Sequence, residues 1–278
     1  MRGPILTLLL VANLTLAQSR LDLMPYTGRI DYSNTITKQD STIAGVYAYY
    51  NKGGEHTLEG DLSWTRIHYD SSTLSHVDQM DLTALYTNTQ ILDWKWRLGL
   101  HHIQSDDNPT EGTVLFGGLH HYEPLRFSRG VDLYLSRYAD YSPGLNVAQF
   151  TGTWSRYLSK PKDSILQIQG HYIYLDEEIG FDQKNFFSLG ASLIYPWNHW
   201  TFQGFGWTGH QAFGVQKDGF VVYNLAEEHK GAVGLSMQYA VTSTSNLKLE
   251  VAEEWFKELG QSNSSKALKY ILYWQHTF

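Results

Sequence analysis

The chain ends Ala267-Leu268-Lys269-Tyr270-Ile271-Leu272-Tyr273-Trp274-Gln275-His276-Thr277-Phe278. Read at a period of two, Leu268, Tyr270, Leu272, Trp274, His276 and Phe278 share one face, and Lys269, Ile271, Tyr273, Gln275 and Thr277 share the other. An extended strand sends alternate side chains to opposite faces, so this stretch has one apolar, aromatic face and one mostly polar face. A soluble sheet shows the same alternation once or twice. Repetition along the whole chain distinguishes a membrane barrel from it.

The alternation recurs. The clearest instance is 92–105, where Leu92, Trp94, Trp96, Leu98 and Leu100 oppose Asp93, Lys95, Arg97, Gly99 and His101. Similar segments of about ten residues are expected at 26–34, 42–52, 55–69, 77–90, 113–122, 127–141, 145–158, 165–175, 185–195, 201–214, 232–241 and 247–259. The segment 42–52 is apolar on both faces and its orientation stays open, 113–122 is mixed, and 201–214, rich in Gly and aromatics, has a poorly defined face. The count is about fourteen strands, with 12–16 compatible, and single-chain bacterial barrels have even numbers. Short turns at 53–54, 90–91, 123–126, 158–163, 196–199 and 242–246 alternate with longer connections at 35–41, 70–76, 106–112, 176–184, 215–231 and 260–266. Only the connection near 141–144 is short where a long one is due. The fold class is therefore all-β, a transmembrane antiparallel β-barrel. The alternative, a secreted β-sandwich, leaves unexplained why Leu, Trp and Tyr face one way on nearly every strand.

The terminal Phe278, with Tyr270, Leu272 and Trp274 at two-residue steps before it, resembles the C-terminal assembly signal of outer-membrane β-barrel proteins of Gram-negative bacteria. The resemblance implies an outer-membrane location, a wall surrounded by outer-membrane lipids, and recognition of the last strand by the barrel-assembly machinery. Short turns and both termini would then face the periplasm.

The other end of the sequence agrees. Met1-Arg2 is a basic start, 5–16 is an apolar run too short to span a bilayer, and Thr15-Leu16-Ala17 offers small residues for a signal peptidase. The expected organisation is a signal peptide at 1–17, a short tail at 18–25 and the barrel at 26–278. With no cysteine, disulfides and thiolate chemistry are excluded, and any zinc site would need His and carboxylates. A formal charge of −7 argues against nucleic acid, which needs clustered Lys and Arg. No cofactor is expected.

The polar faces supply the interior. Arg29, Glu59, Asp61, Asp81, Lys95, Arg97, Asp132, Gln149, Gln167, Gln169, Lys248 and Glu250 are expected to face the lumen. A mixed-charge interior implies water, because unpaired buried charge is costly. The first functional reading is a passive, porin-like channel for small hydrophilic solutes or ions. Only 18–25 precedes the first expected strand, so an inner restriction would have to come from 215–231, with Phe220 and Tyr223 as its apolar contacts. The alternative is a non-conducting surface or structural barrel, an adhesin or assembly partner, although its loops are short for that task. A lipid-modifying enzyme ranks behind both. Ser75, His76 and Asp78 are adjacent in sequence, which is not triad geometry, and His101-His102 and His120-His121 put one imidazole on each face of a strand. A monomer is expected over a trimer, since no strand lacks lipid-facing aromatics.

Overall fold

The structure, a computed structural model, describes residues 19–71, 75–141, 144–158, 163–261 and 263–278. The expected signal peptide lies outside the described residues. The strands are β1 (Arg20–Ser33), β2 (Lys38–Lys52), β3 (His56–Tyr69), β4 (His76–Asn88), β5 (Trp94–Ser105), β6 (Gly112–Glu123), β7 (Phe127–Tyr138) and β8 (Leu145–Tyr157). They continue with β9 (Ile165–Leu175), β10 (Asn185–Trp197), β11 (Trp200–Gln211), β12 (Val215–Gln216), β13 (Val221–Val222), β14 (Glu227–Ala240), β15 (Ser245–Glu258) and β16 (Ser265–Thr277). Fourteen of them form one closed barrel in the order β1-β16-β15-β14-β11-β10-β9-β8-β7-β6-β5-β4-β3-β2, and β12 pairs only with β13. Every neighbouring pair in the wall is antiparallel.

Closure is made by β1 against β16, from Asp22↔Thr277 to Ser33↔Lys266. At the seam Thr277 Oγ1 donates to Asp22 Oδ1 at 2.5 Å, and the Phe278 amide donates to the Leu21 carbonyl at 2.8 Å. The first strand therefore begins at Arg20, and most of the expected 18–25 tail is wall. Pro25 lies inside this strand. It is tolerated because the pairing with β16 skips from Leu23 to Tyr26, where the missing amide would have been needed.

Both described termini lie at the end that carries the tight connections 53–55, 124–126, 198–199 and 241–244. The opposite end carries 34–37, 70–75, 106–111, 139–144, 176–184, 212–226 and 259–264. The irregular connection near 141–144 disappears, because β7 stops at Tyr138. These are called below the turn end and the loop end.

The outward faces carry Leu58, Leu62, Leu82, Leu98, Leu115, Leu133, Phe150, Leu189, Leu193, Val233, Leu235 and Leu249, all exposed. An apolar ring of this extent is incompatible with water and fits hydrocarbon. At the turn end it is bordered by Tyr50, Trp94, Trp154, Trp197, Trp200, Tyr239 and Trp274, an aromatic girdle at the depth of lipid headgroups. Tyr270, Leu272, Trp274 and Phe278 sit on this outer face.

Inside, the ambiguous segment resolves: Tyr47 and Tyr49 of β2 point inward, while Val46 and Tyr50 point out. The interior is not uniformly polar. Ile103, Tyr138, Leu145, Val147, Ile173, Leu175, Phe186 and Phe213 form a buried apolar cluster near the loop end, and Met24, Tyr47, Tyr49 and Tyr273 form another.

Leu98 is 62% exposed on the wall. On a soluble protein Leu98→Arg would be nearly neutral, whereas at the bilayer midplane it should cost about 2–4 kcal/mol. Guanidinium unfolding in lipid vesicles measures the difference, and an unchanged midpoint would argue against hydrocarbon around β5.

Candidate functional site

Parity along each strand decides which side chains reach the interior. Glu59, Asp61, Asp81, Lys95, Arg97, Asp132, Gln149, Gln167, Lys248 and Glu250 all lie on inward positions and are buried. Gln169 also points inward, half-buried, with its Nε2 3.4 Å from Thr153 Oγ1. Arg29 does not. It lies on the outer surface near the loop end, bonded to Asp31 at 2.7 Å and Asp40 at 3.1 Å. In β1 the aromatic side (Tyr26, Tyr32) turns inward, and the polar side stands above the apolar ring where the wall meets water. Aromatic-out parity holds within the hydrocarbon belt and fails beyond it.

The inward charges form a connected network. Arg97 Nε donates to Asp132 Oδ1 at 2.6 Å, Nη1 contacts Asp218 Oδ1 at 2.8 Å, and Nη2 reaches the Tyr134 hydroxyl at 3.4 Å. His120 Nε2 lies 3.0 Å from the same Asp132 oxygen. Two glycines make this packing possible: a Cβ on Gly118 would sit 1.7 Å from Asp132 Oδ1, and one on Gly130 would sit 2.2 Å from the His120 ring. Lys95, the cross-strand neighbour of His120, is 5% exposed, and its ammonium has no hydrogen bond or ion pair among the described residues. Glu59 accepts a hydrogen bond from Tyr47, and Tyr26 donates to Asp61 at 3.0 Å. His101 Nε2 lies 3.1 Å from Asp81. Across the lumen, Glu250 holds Lys217 at 2.9 Å and Lys248 at 3.3 Å, and Glu254 pairs with His229 at 2.7 Å and with Lys269.

The segment 212–226 folds into the barrel and joins these walls. Its base packs Phe213 on Tyr138 and Tyr141, with ring centroids 5.0 and 5.5 Å apart. Gln149 clasps Val215 by two hydrogen bonds of 2.7 Å, one to its amide and one to its carbonyl. The short β12–β13 hairpin then places Lys217 and Asp218 on Glu250 and Arg97. Phe220 packs edge-on against Tyr47 at 5.5 Å, Tyr223 stacks on His229 at 3.8 Å, and Asn224 donates to Gln79 at 2.7 Å and to the Thr110 carbonyl at 2.9 Å. The two expected apolar contacts thus dock on different walls. At the mouth beside Thr110, burial and then the charge of Asp106 raise the Asp107 carboxyl above its ordinary range.

The hairpin tip is strained. Lys217 and Asp218 have φ of 54° and 63°, ahead of Gly219 at 98°. A left-handed non-glycine costs about 1–2 kcal/mol, so the ion pairs to Glu250 and Arg97 hold a conformation that the tip would not keep unaided. Gly219 is also required sterically, since a Cβ there would lie 2.3 Å from the Phe116 ring. Sequence reading missed Asp218, Lys217, His101 and His120 as lumen groups. The two histidines were legible from parity, whereas the tip residues carry no periodic signal.

On the outer loop-end rim, Ser75 Oγ lies 2.9 Å from His76 Nδ1, but His76 Nε2 stands 3.9 Å from Asp78. Asp78 is taken by a two-pronged bond from Arg66 at 2.7 and 2.6 Å, so the orienting bond of a hydrolytic triad is not made. His76, Asp78 and Asp106 bring ligand atoms within 4.8 Å of one another, with Asp78 again committed to Arg66.

Neither a family model nor a curated protein matches the sequence. Among solved structures, the barrel resembles the CymD monoaromatic hydrocarbon channel (TM-score 0.61, 8% identity), with 95% of this chain and 89% of that one covered. It resembles the toluene transporter TbuX of Ralstonia pickettii equally well (0.61, 9%, 95% and 90%). A Pseudomonas aeruginosa FadL homologue follows at 0.60 and 9% identity, covering 94% of this chain and 90% of that one. The neighbours are outer-membrane β-barrels, and at these identities the fold is what they share.

Removing Arg97 would leave Asp132 and Asp218 without their common cation. Arg97→Ala should therefore destabilise the barrel by about 3–5 kcal/mol, the range for a broken buried pair. Urea unfolding in vesicles reads it, and a loss below about 1 kcal/mol would mean that water already solvates this cluster.

Proposed function

We propose that this protein is an outer-membrane channel for small hydrophilic solutes or ions, closed at rest by its own inward hairpin. The observation that carries the reading is the hairpin itself. A closed fourteen-strand wall encloses more room than an eight-strand barrel, whose side chains can fill it. Here a dedicated segment enters that room and is held largely by ion pairs and hydrogen bonds at its tip.

The attachment is uneven. The base is anchored in apolar packing around Phe213, Tyr138 and Tyr141, whereas the tip rests on Arg97 and Glu250. Polar contacts exchange with water at small net free-energy change, so the tip is the part suited to leave. The wall it would uncover carries Lys95, Glu59, Asp61, Lys248 and Glu250. That lining favours hydrophilic solutes over the hydrocarbons in the names of two structural neighbours, because the apolar interior clusters are packed shut.

In this reading the turn end and both termini face the periplasm, outer-membrane lipids surround the apolar ring, and the assembly machinery reads the outward Tyr270, Leu272, Trp274 and Phe278. The aromatic girdle continues across β2, β5, β8, β10, β11, β14 and β16, which suits a monomer. The second reading, a non-conducting surface or structural barrel, is favoured by the same hairpin if it never leaves.

Single-channel recording in planar bilayers separates the two. Deleting 217–220 should convert a quiet or rarely opening barrel into one with larger, sustained conductance steps. A folded, heat-modifiable deletion variant that passes no current would refute the channel.

A further inference from the structure

The tip of the hairpin presents a carboxylate to a cationic wall, and that wall holds one more cation than the tip uses. Arg97 spends Nε on Asp132 and Nη2 on Tyr134, leaving Nη1 for Asp218 at 2.8 Å. Lys95 lies two residues earlier on the same face of β5, about 6.6 Å away along the strand. Lys95 is 5% exposed and its ammonium has no hydrogen bond or ion pair among the described residues, though Asp218, Asp132 and Glu59 are within its electrostatic reach. Asp132 and Glu59 belong to the wall and are engaged by Arg97, His120 and Tyr47. Asp218 alone among these acids arrives on a segment that is not wall.

We propose that Arg97 and Lys95 form a binding site for small monocarboxylates, occupied in this structure by Asp218 of the chain's own hairpin. A monocarboxylate that displaced Asp218 would restore the same local charge, accept the hydrogen bond from Arg97 Nη1, and give Lys95 a counter-ion. Charge-assisted bonds of this kind favour a carboxylate over an isosteric amide. Binding would also remove one of the two ion pairs holding the strained tip, so the solute that fits the site is the one that loosens the closure. The last step rests on the channel reading above, and the site does not.

The test is calorimetric titration of the folded protein in detergent with butyrate, using butyramide at equal ionic strength as the control. Asp218→Asn removes the internal competitor and should tighten butyrate binding at least tenfold over the unmodified protein, with Asp218→Ser giving the same direction. Adding Lys95→Met to Asp218→Asn should reverse the gain about tenfold. Butyramide should not bind any of them measurably. Equal affinity of Asp218→Asn and the unmodified protein, equal binding of butyrate and butyramide, or no effect of Lys95→Met would each overturn the site. An Asp218→Asn protein that binds butyrate but carries no current would refute the channel and leave the site standing. An open channel indifferent to butyrate would do the reverse.

Discussion

A backbone amide or carbonyl left unpaired in hydrocarbon costs several kcal/mol, and a sheet in a membrane has no water at its edges to supply partners. Everything else in this molecule follows from satisfying that demand. β1 must meet β16, which sets an even strand count and brings both described ends to one rim, and with fourteen strands the ring is large enough to need filling. Alternation along each strand then divides the side chains into two populations facing different solvents. The outer one is Leu, Val and aromatic because it faces hydrocarbon, and the inner one is free to be polar.

The interior uses that freedom in two ways. Near the loop end it is a conventional apolar core, with Phe213 brought in from the connection to pack among Tyr138, Ile173 and Phe186. Elsewhere it is a network of ion pairs in which Asp132, Glu250 and Glu254 each take two cationic or imidazole partners and Arg97 bridges two acids. Asp132 illustrates the economy of the arrangement. It accepts from Arg97 and His120 at once and fits only because residue 118, across the ladder, has no side chain.

Strand periodicity and turn residues were enough to read the architecture. The terminal strand, the paired Trp94 and Trp96, and the alternation of short and long connections each followed from a period of two imposed by a flat hydrocarbon boundary. Interior residues were legible wherever parity could be anchored to a lipid-facing Leu or Trp, as for Lys95 and Arg97. Reading failed where the anchor was absent. Arg29 sits beyond the hydrocarbon, where nothing enforces the rule, and β2 is apolar on both sides because Tyr47 and Tyr49 face packed neighbours within the barrel. The expected tail at 18–25 is mostly strand, and its Pro25 is admissible there because one ladder is interrupted at that point. The hairpin's length suggested an inward course, but its partners depended on long-range geometry that no local pattern encodes.

The fan of contacts made by that hairpin has a mechanical meaning. Hydrogen bonds fix the circumference of a barrel far better than its cross-section, so an empty ring of this size is free to flatten, much as a hoop without spokes does. Here the spokes run from β8 through Gln149, to β5 through Arg97, to β2 through Tyr47 and to β15 through Glu250. They hold opposite walls at set separations, and the bore therefore inherits its shape from four side chains as much as from its strands. Withdrawing the spokes would change the roundness of the wall itself, including the curvature it presents to the surrounding lipid.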